Sequence, residues 1–146
     1  MKFSQLFLFF GFCVSLAQGE RKLEFNRDIR PILSDGCFHC HGPDEKKRKS
    51  GLRLDLESHA FKPAKSGFPA IVKGDVEESE LIARIFLSED DDEHMPPLDS
   101  GKSITKEQKE ILRKWIAQGA EYQGHWAFIA PERPEVPVHS DARHPV

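Results

Sequence analysis

Apolar positions along this chain come in short periodic groups separated by polar, glycine- and proline-rich stretches. Phe25, Ile29, Ile32 and Leu33 recur at spacings of three and four, which predicts a short helix over Leu23–Leu33. With Asp28 as its cap, Pro31 falls in the first turn, where the missing N–H costs nothing. Residues 42–50 are a polar loop. Leu52, Leu54 and Leu56 alternate with Arg53 and Asp55, the pattern of a short strand or an extended segment with one buried face. After a Gly/Pro/Lys-rich loop at 62–69, Asp75 and Glu78 form a capping box that opens a second helix. Its apolar stripe is Leu81, Ile82, Ile85 and Phe86. The acidic run Glu89–Glu93 leads into His94-Met95-Pro96-Pro97. The last helix has the clearest punctuation: Thr105 as cap, Gln108 at the capping-box position and Gly119 as the stop. Its inner face is Ile111, Leu112, Trp115 and Ile116. Beyond Tyr122 the prolines at 131, 134, 137 and 145 and the lack of periodicity predict a linker or tail.

The start of the chain is of another kind. Lys2 precedes the apolar stretch Phe3–Leu16, and Ala17-Gln18-Gly19 puts small residues at −3 and −1 of a cleavage point before Glu20. This is the pattern of a secretory signal peptide. The stretch is shorter than the ~20 residues that span a bilayer, so no transmembrane segment is expected after cleavage; an uncleaved anchor is the alternative. Cys13 follows bulky Phe12, a poor fit to a lipid-attachment site, and leaves with the signal. The organisation is therefore signal peptide 1–19, folded domain 20–122 and Pro-rich tail 123–146, in a protein exported to the periplasm or cell envelope.

Composition narrows the class. A chain of 146 residues suits one domain with a tail. With 21 Lys and Arg against 24 Asp and Glu, and a net charge of −3, it lacks the basic balance of a general nucleic-acid binder. Three cysteines cannot make a disulfide-dense scaffold.

Two of those cysteines lie in Cys37-Phe38-His39-Cys40-His41, the C-x-x-C-H pattern of c-type haem attachment. Thiols three apart on a helical turn share a side, so both can bond one porphyrin, and the next residue, His41, can offer a nitrogen to the iron. Export agrees with this, since covalent haem attachment normally takes place outside the cytoplasmic membrane. A zinc site would want four ligands, usually from a second C-x-x-C or a histidine pair, and the sequence has neither. A thiol–disulfide exchanger would want a thioredoxin-like βαβ context, also missing. An electron-transfer haem takes a second axial ligand, and Met95 is the one methionine after the signal. The two prolines behind Met95 would stiffen its loop. The alternatives are Met95 as core filler and His94 as the ligand, the latter disfavoured by its acidic neighbours. His59, His125, His139 and His144 read as surface or tail residues, and His39, between the cysteines, is expected to point away from the iron.

Helix, C-x-x-C-H, variable middle, Met-Pro-Pro and closing helix together resemble a class I cytochrome c. The closer resemblance is to the planctomycete-type cytochrome c domain. It is carried by Phe25-Asn26-Arg27-Asp28-Ile29-Arg30-Pro31-Ile32-Leu33, Gly51-Leu52-Arg53-Leu54-Asp55, Ile71-Val72-Lys73-Gly74-Asp75, Met95-Pro96-Pro97 and Trp115-Ile116 with Gly119-Ala120. The resemblance spans residue 24 to about residue 128. It implies an all-α fold wrapped around one covalent haem c, with thioether links at Cys37 and Cys40, His41 as proximal ligand and Met95 as distal ligand. It also implies first and last helices that cross, so that Phe25 or Ile29 meets Trp115. Members of the family often continue past a segment like His125-Trp126-Ala127-Phe128 into further domains, so the chain is either free-standing or the front of a longer product.

The activity expected from this is one-electron transfer to a redox partner protein, without enzymatic turnover. The alternative is a haem-containing sensor or an accessory module of an envelope enzyme, with an open or labile sixth position. Lys46–Lys49 and Glu89–Glu93 are either docking patches or solvated loops. Arg53 either contacts a haem propionate or lies on the surface.

Overall fold

The computed structural model describes residues 21–131 and 133. The expected signal peptide and Pro134, Pro137 and Pro145 of the expected tail lie outside the described residues, as do His139 and His144. Past Glu24 the chain enters a wide π-type turn, Phe25–Ile29, that runs straight into α1, Arg30–Gly36. Pro31 sits in the first turn of α1, as expected. Asp28 is not its cap. The wide turn carries the helix start past it, and its carboxylate turns back to accept the Glu24 N–H at 2.8 Å while pairing with Arg27 and Arg21. Those arginines hold the Asp28 carboxyl well below the usual carboxylate range.

Short helices follow: α2, Phe38–His41; α3, Glu57–Ala60; and α4, Glu80–Ile85. A 3-10 turn at Leu98–Ser100 precedes α5, Lys106–Ala117, and another covers Trp126–Phe128. The described residues contain no strand, only isolated bridges at Pro63–Pro69 and Val72–Asp75, in agreement with an all-α class. None of the described helices is long and apolar enough to cross a membrane.

The Leu52–Leu56 alternation is not a strand. Its backbone groups find remote partners instead of a ladder: Leu54 N–H donates to His41 O at 2.8 Å, and Leu54 O accepts the Tyr122 hydroxyl at 3.0 Å. Of the three leucines only Leu54 is fully buried. The Asp75 expectation is half met. Its carboxylate accepts the N–H groups of Glu77 and Glu78, both at 3.1 Å, but this closes an isolated turn, and α4 begins only at Glu80. Between them stands buried Ser79, whose hydroxyl accepts Val72 N–H at 2.9 Å and donates to Asp75 O at 2.5 Å. That tie to the preceding loop separates the capped turn from the helix. Leu81, Ile82 and Ile85 are buried, whereas Phe86 lies past the end of α4 and is 43% exposed.

Helix α5 follows its sequence signals closely. Thr105 and Gln108 make both halves of the capping box, at 3.3 and 2.9 Å. Gly119 has φ of 103°, and the paired bonds Ala120 N–H to Trp115 O and Gly119 N–H to Ile116 O close a Schellman-type end. Leu112, Trp115 and Ile116 are fully buried, while Ile111 is only partly so.

The two ends of the domain meet on this helix. The Phe25 ring lies 5.8 Å from Trp115 and 4.2 Å from Tyr122, the crossing that the family resemblance implied. Hydrogen bonds reinforce the junction: Leu23 N–H to Gln118 at 2.8 Å, Asn26 N–H to Gln123 at 2.9 Å, and the Asn26 amide to Gly124 O at 2.8 Å. The Trp115 indole N–H is itself satisfied by Glu121 O at 3.1 Å. Trp115→Ala removes the centre of this packing and should lower the unfolding free energy by about 3–5 kcal/mol, a large share of a small domain's stability. Urea denaturation followed by far-UV circular dichroism checks it.

Candidate cofactor site

Two glycines shape the turn that carries the cysteines. A Cβ on buried Gly36 would meet the Ile104 side chain at 3.1 Å, so a larger residue there would have to push Ile104 aside. A Cβ on Gly42 would lie 2.3 Å from Phe38 O, which makes glycine necessary where the chain leaves α2. Between them, Cys37 N–H closes on Leu33 O, and His41 N–H closes on Cys37 O, both at 2.8 Å. Cys37 and His41 therefore stand one turn apart and share a face. The following loop is held by Arg48, which donates to Gly42 O at 3.2 Å and to Pro43 O at 2.9 Å. Lys46, Lys47 and Lys49 are exposed, as are Glu89–Glu93.

Cys37 and His41 line an open cleft with a cavity volume of about 140 Å³. Its lining is mainly apolar, with Leu52, Leu54, Ala70, Leu81, Ile85 and Met95 among the wall residues. Two segments far apart in sequence thus bring Cys37, His41 and Met95 to one cavity. Cys40 is a half-buried free thiol beside Cys37 in the same turn and is not on the cavity wall. Met95 is anchored by its N–H, which donates to Arg84 O at 3.2 Å, the carbonyl near the end of α4. His94, the alternative ligand, is buried but takes no part in the wall. Its Nδ1 donates to Leu87 O at 3.0 Å, so the ring closes the loop that carries the acidic run. His39 is exposed. His59 is exposed too, and His125 Nδ1 accepts the Ala127 N–H at 3.2 Å.

Burial, offset partly by the Lys49 backbone and aided by the charge of Arg84, holds His41 below the usual histidine range. At neutral pH it is an uncharged imidazole with a lone pair free. Its Nδ1 is buried with no hydrogen-bond partner. Burial, and secondarily the neighbouring Cys40, push the Cys37 thiol up to about 12. Arg53 is not at the cavity: it forms a two-point pair with Asp55 at 3.1 and 2.5 Å. Wall residues without a place in the sequence-based expectations include Ser66, Glu80 and Arg84. The one signal for them was the i,i+4 spacing of Glu80 and Arg84, which reads equally well as a solvated helix pair. In the fold Arg84 donates to Glu80 at 2.7 Å, and the second Glu80 oxygen accepts the Ser66 hydroxyl at 2.6 Å. Although burial opposes it, these two bonds hold Glu80 below the usual carboxylate range.

The residues fit a haem. The cleft offers apolar walls, an imidazole with an unpartnered buried nitrogen and a thioether sulfur, donors suited to iron in a porphyrin, and the Cys37 thiol on its wall with Cys40 in the same turn. Among the described residues no group of three or more His, Cys, Asp and Glu gathers around a bare metal position. Residues 37–99 match the family described as Planctomycete cytochrome C. No curated protein and no solved structure matches the chain.

The raised thiol has a chemical consequence. In the haem-free folded chain Cys37 should resist iodoacetamide at pH 8, because the attacking species is the thiolate. Labelling should become fast in urea, or in the folded chain only as the pH approaches 12. Mass spectrometry of the Cys37 peptide reads the difference.

Proposed function

Because residues 37–99 match the planctomycete cytochrome C family, we propose that this protein is an exported monohaem c-type cytochrome that carries single electrons. In this reading Cys37 and Cys40 hold haem c through thioether bonds, and His41 and Met95 are its two axial ligands. The haem supplies the one-electron Fe(III)/Fe(II) couple. Neutral His41 keeps its lone pair available without a deprotonation step. The Met95 thioether is a soft ligand that favours Fe(II) and raises the reduction potential. The apolar wall keeps water from the iron, and the prolines after Met95 limit how far the sulfur can move. With both axial positions filled by side chains there is no place for a substrate, so the protein exchanges electrons with a redox partner protein and turns nothing over. The basic, apolar and small-residue sequence of residues 1–19 supports export to the periplasm or envelope, where the haem would be attached.

The observation that carries this reading is the placement of Met95 in the same apolar cavity as His41 and Cys37. Absorption spectra of the exported protein in both oxidation states, with a pyridine haemochrome assay, test it. The expected result is one covalent c-type haem per chain, with the weak charge-transfer band of methionine-ligated ferric haem, lost in Met95→Ala. Carbon monoxide should leave the reduced wild-type protein unchanged and bind Met95→Ala. Immediate binding to the wild type would instead mean an open sixth position and favour the sensor or accessory-module alternative. A chain without covalent haem from a host competent to attach it sinks the proposal.

A further inference from the structure

We propose that Arg84 is the counter-charge of the haem in this cavity: its guanidinium, fixed by Glu80, faces the carboxylate-bearing edge of the porphyrin and biases the iron toward its ferrous state. The inference rests on the haem-carrier reading above and adds a residue and a role to it.

A porphyrin of this class carries two propionate carboxylates on an otherwise apolar body, and a carboxylate buried without a partner is costly. Among the described residues the cleft wall is apolar or neutral except for Glu80 and Arg84, which makes Arg84 the one permanent cation among them. The Arg84 side chain is 25% exposed, the position expected for a group at the boundary between an apolar cavity and water. It is not free to swing. Nη2 donates to Glu80 at 2.7 Å, and Glu80 is pinned from its other oxygen by Ser66. Nη1 makes only a loose 3.9 Å approach to Glu93, which is 70% exposed. That length is beyond a hydrogen bond, so donors on this side remain for a further carboxylate. Arg84 also reaches the site through the backbone: its carbonyl O accepts the Met95 N–H at 3.2 Å. Arg53, by contrast, has both Asp55 oxygens as partners and stands off the wall.

Ferric haem carries one more positive charge than ferrous haem, so a cation held nearby favours the ferrous form. Equilibrium redox titration of the haem-loaded protein, read by its visible spectrum, tests the assignment. Arg84→Gln should keep its covalent haem and its methionine charge-transfer band. At a fixed ambient potential, its ferrous-to-ferric ratio should fall about threefold to tenfold, the size expected for one partly screened charge. Arg84→Lys should recover most of that ratio, and Glu80→Gln should move it the other way. Arg53→Gln serves as the control and should leave it unchanged. An Arg84→Gln ratio equal to wild type, or a shift no larger than that of Arg53→Gln, overturns the proposal. If Arg84→Gln accumulates without haem, Glu80→Gln decides, and an unmoved ratio there overturns it equally. A wild-type protein without covalent haem overturns the carrier reading itself, an outcome distinct from a loaded protein whose potential ignores Arg84.

Discussion

The indole of Trp115 lies 5.8 Å from the Phe25 ring and 5.3 Å from the Tyr122 ring, and much of the domain is arranged around that junction. Phe25 belongs to the turn that launches α1, so fixing it against α5 fixes where α1 points and where Cys37 emerges from its end. Tyr122 reaches across to Leu54 O with its hydroxyl, and Leu54 N–H is bonded to His41 O. A chain of contacts thus runs from the aromatic centre to the residue expected to bind iron. The phenol is buried enough that its pKa is driven above the ordinary tyrosine range, with nearby acidic groups adding to the shift, so it stays a neutral donor to that carbonyl.

The middle of the domain could not stand without this frame. Helices of four to six residues, such as α2, α3 and α4, are too short to persist alone in water. They are held by burial of Ala60, Leu81, Ile82 and Ile85 and by side chains that serve as fasteners. Ser79 fastens the loop before α4, and His94 fastens the loop after it. The acidic run thereby becomes a clasped loop that delivers Met95 to the cavity, with the charges outside and the thioether within.

What was legible in the sequence was what is decided locally. The Thr105–Gln108 box and the Gly119 stop depend only on residues within a turn of each other, and α5 follows them. C-x-x-C-H is legible because its spacing is itself the chemistry. The Leu52–Leu56 alternation leaves a short strand and an extended segment both open, because alternation reports one buried face and says nothing of where backbone groups find partners; here those partners lie in α2 and at Tyr122, and the strand is the alternative that fails. Asp75 was assigned to the wrong element because a carboxylate caps an isolated turn with the same bonds it would give a helix. Arg53 and Arg84 are both arginines near a carboxylate in sequence, and only the fold shows that one closes on Asp55 while the other lines the cleft.

The meeting of Phe25 with Trp115 and Tyr122 also has a meaning in time. A chain is made from its N-terminus, and domains close only when their last partners have emerged. Phe25 has no aromatic neighbour until nearly a hundred further residues are out, so the segment from Cys37 to His41 is delivered well before the structure that will enclose it. During that interval both thiols are open to whatever machinery acts on them. Once Trp115 and Tyr122 dock, the Cys37 sulfur passes into an apolar wall where its thiolate is strongly disfavoured. The junction that closes last is therefore also what encloses the Cys37 thiol, which is open to solvent in the unfolded chain and shielded in the folded one.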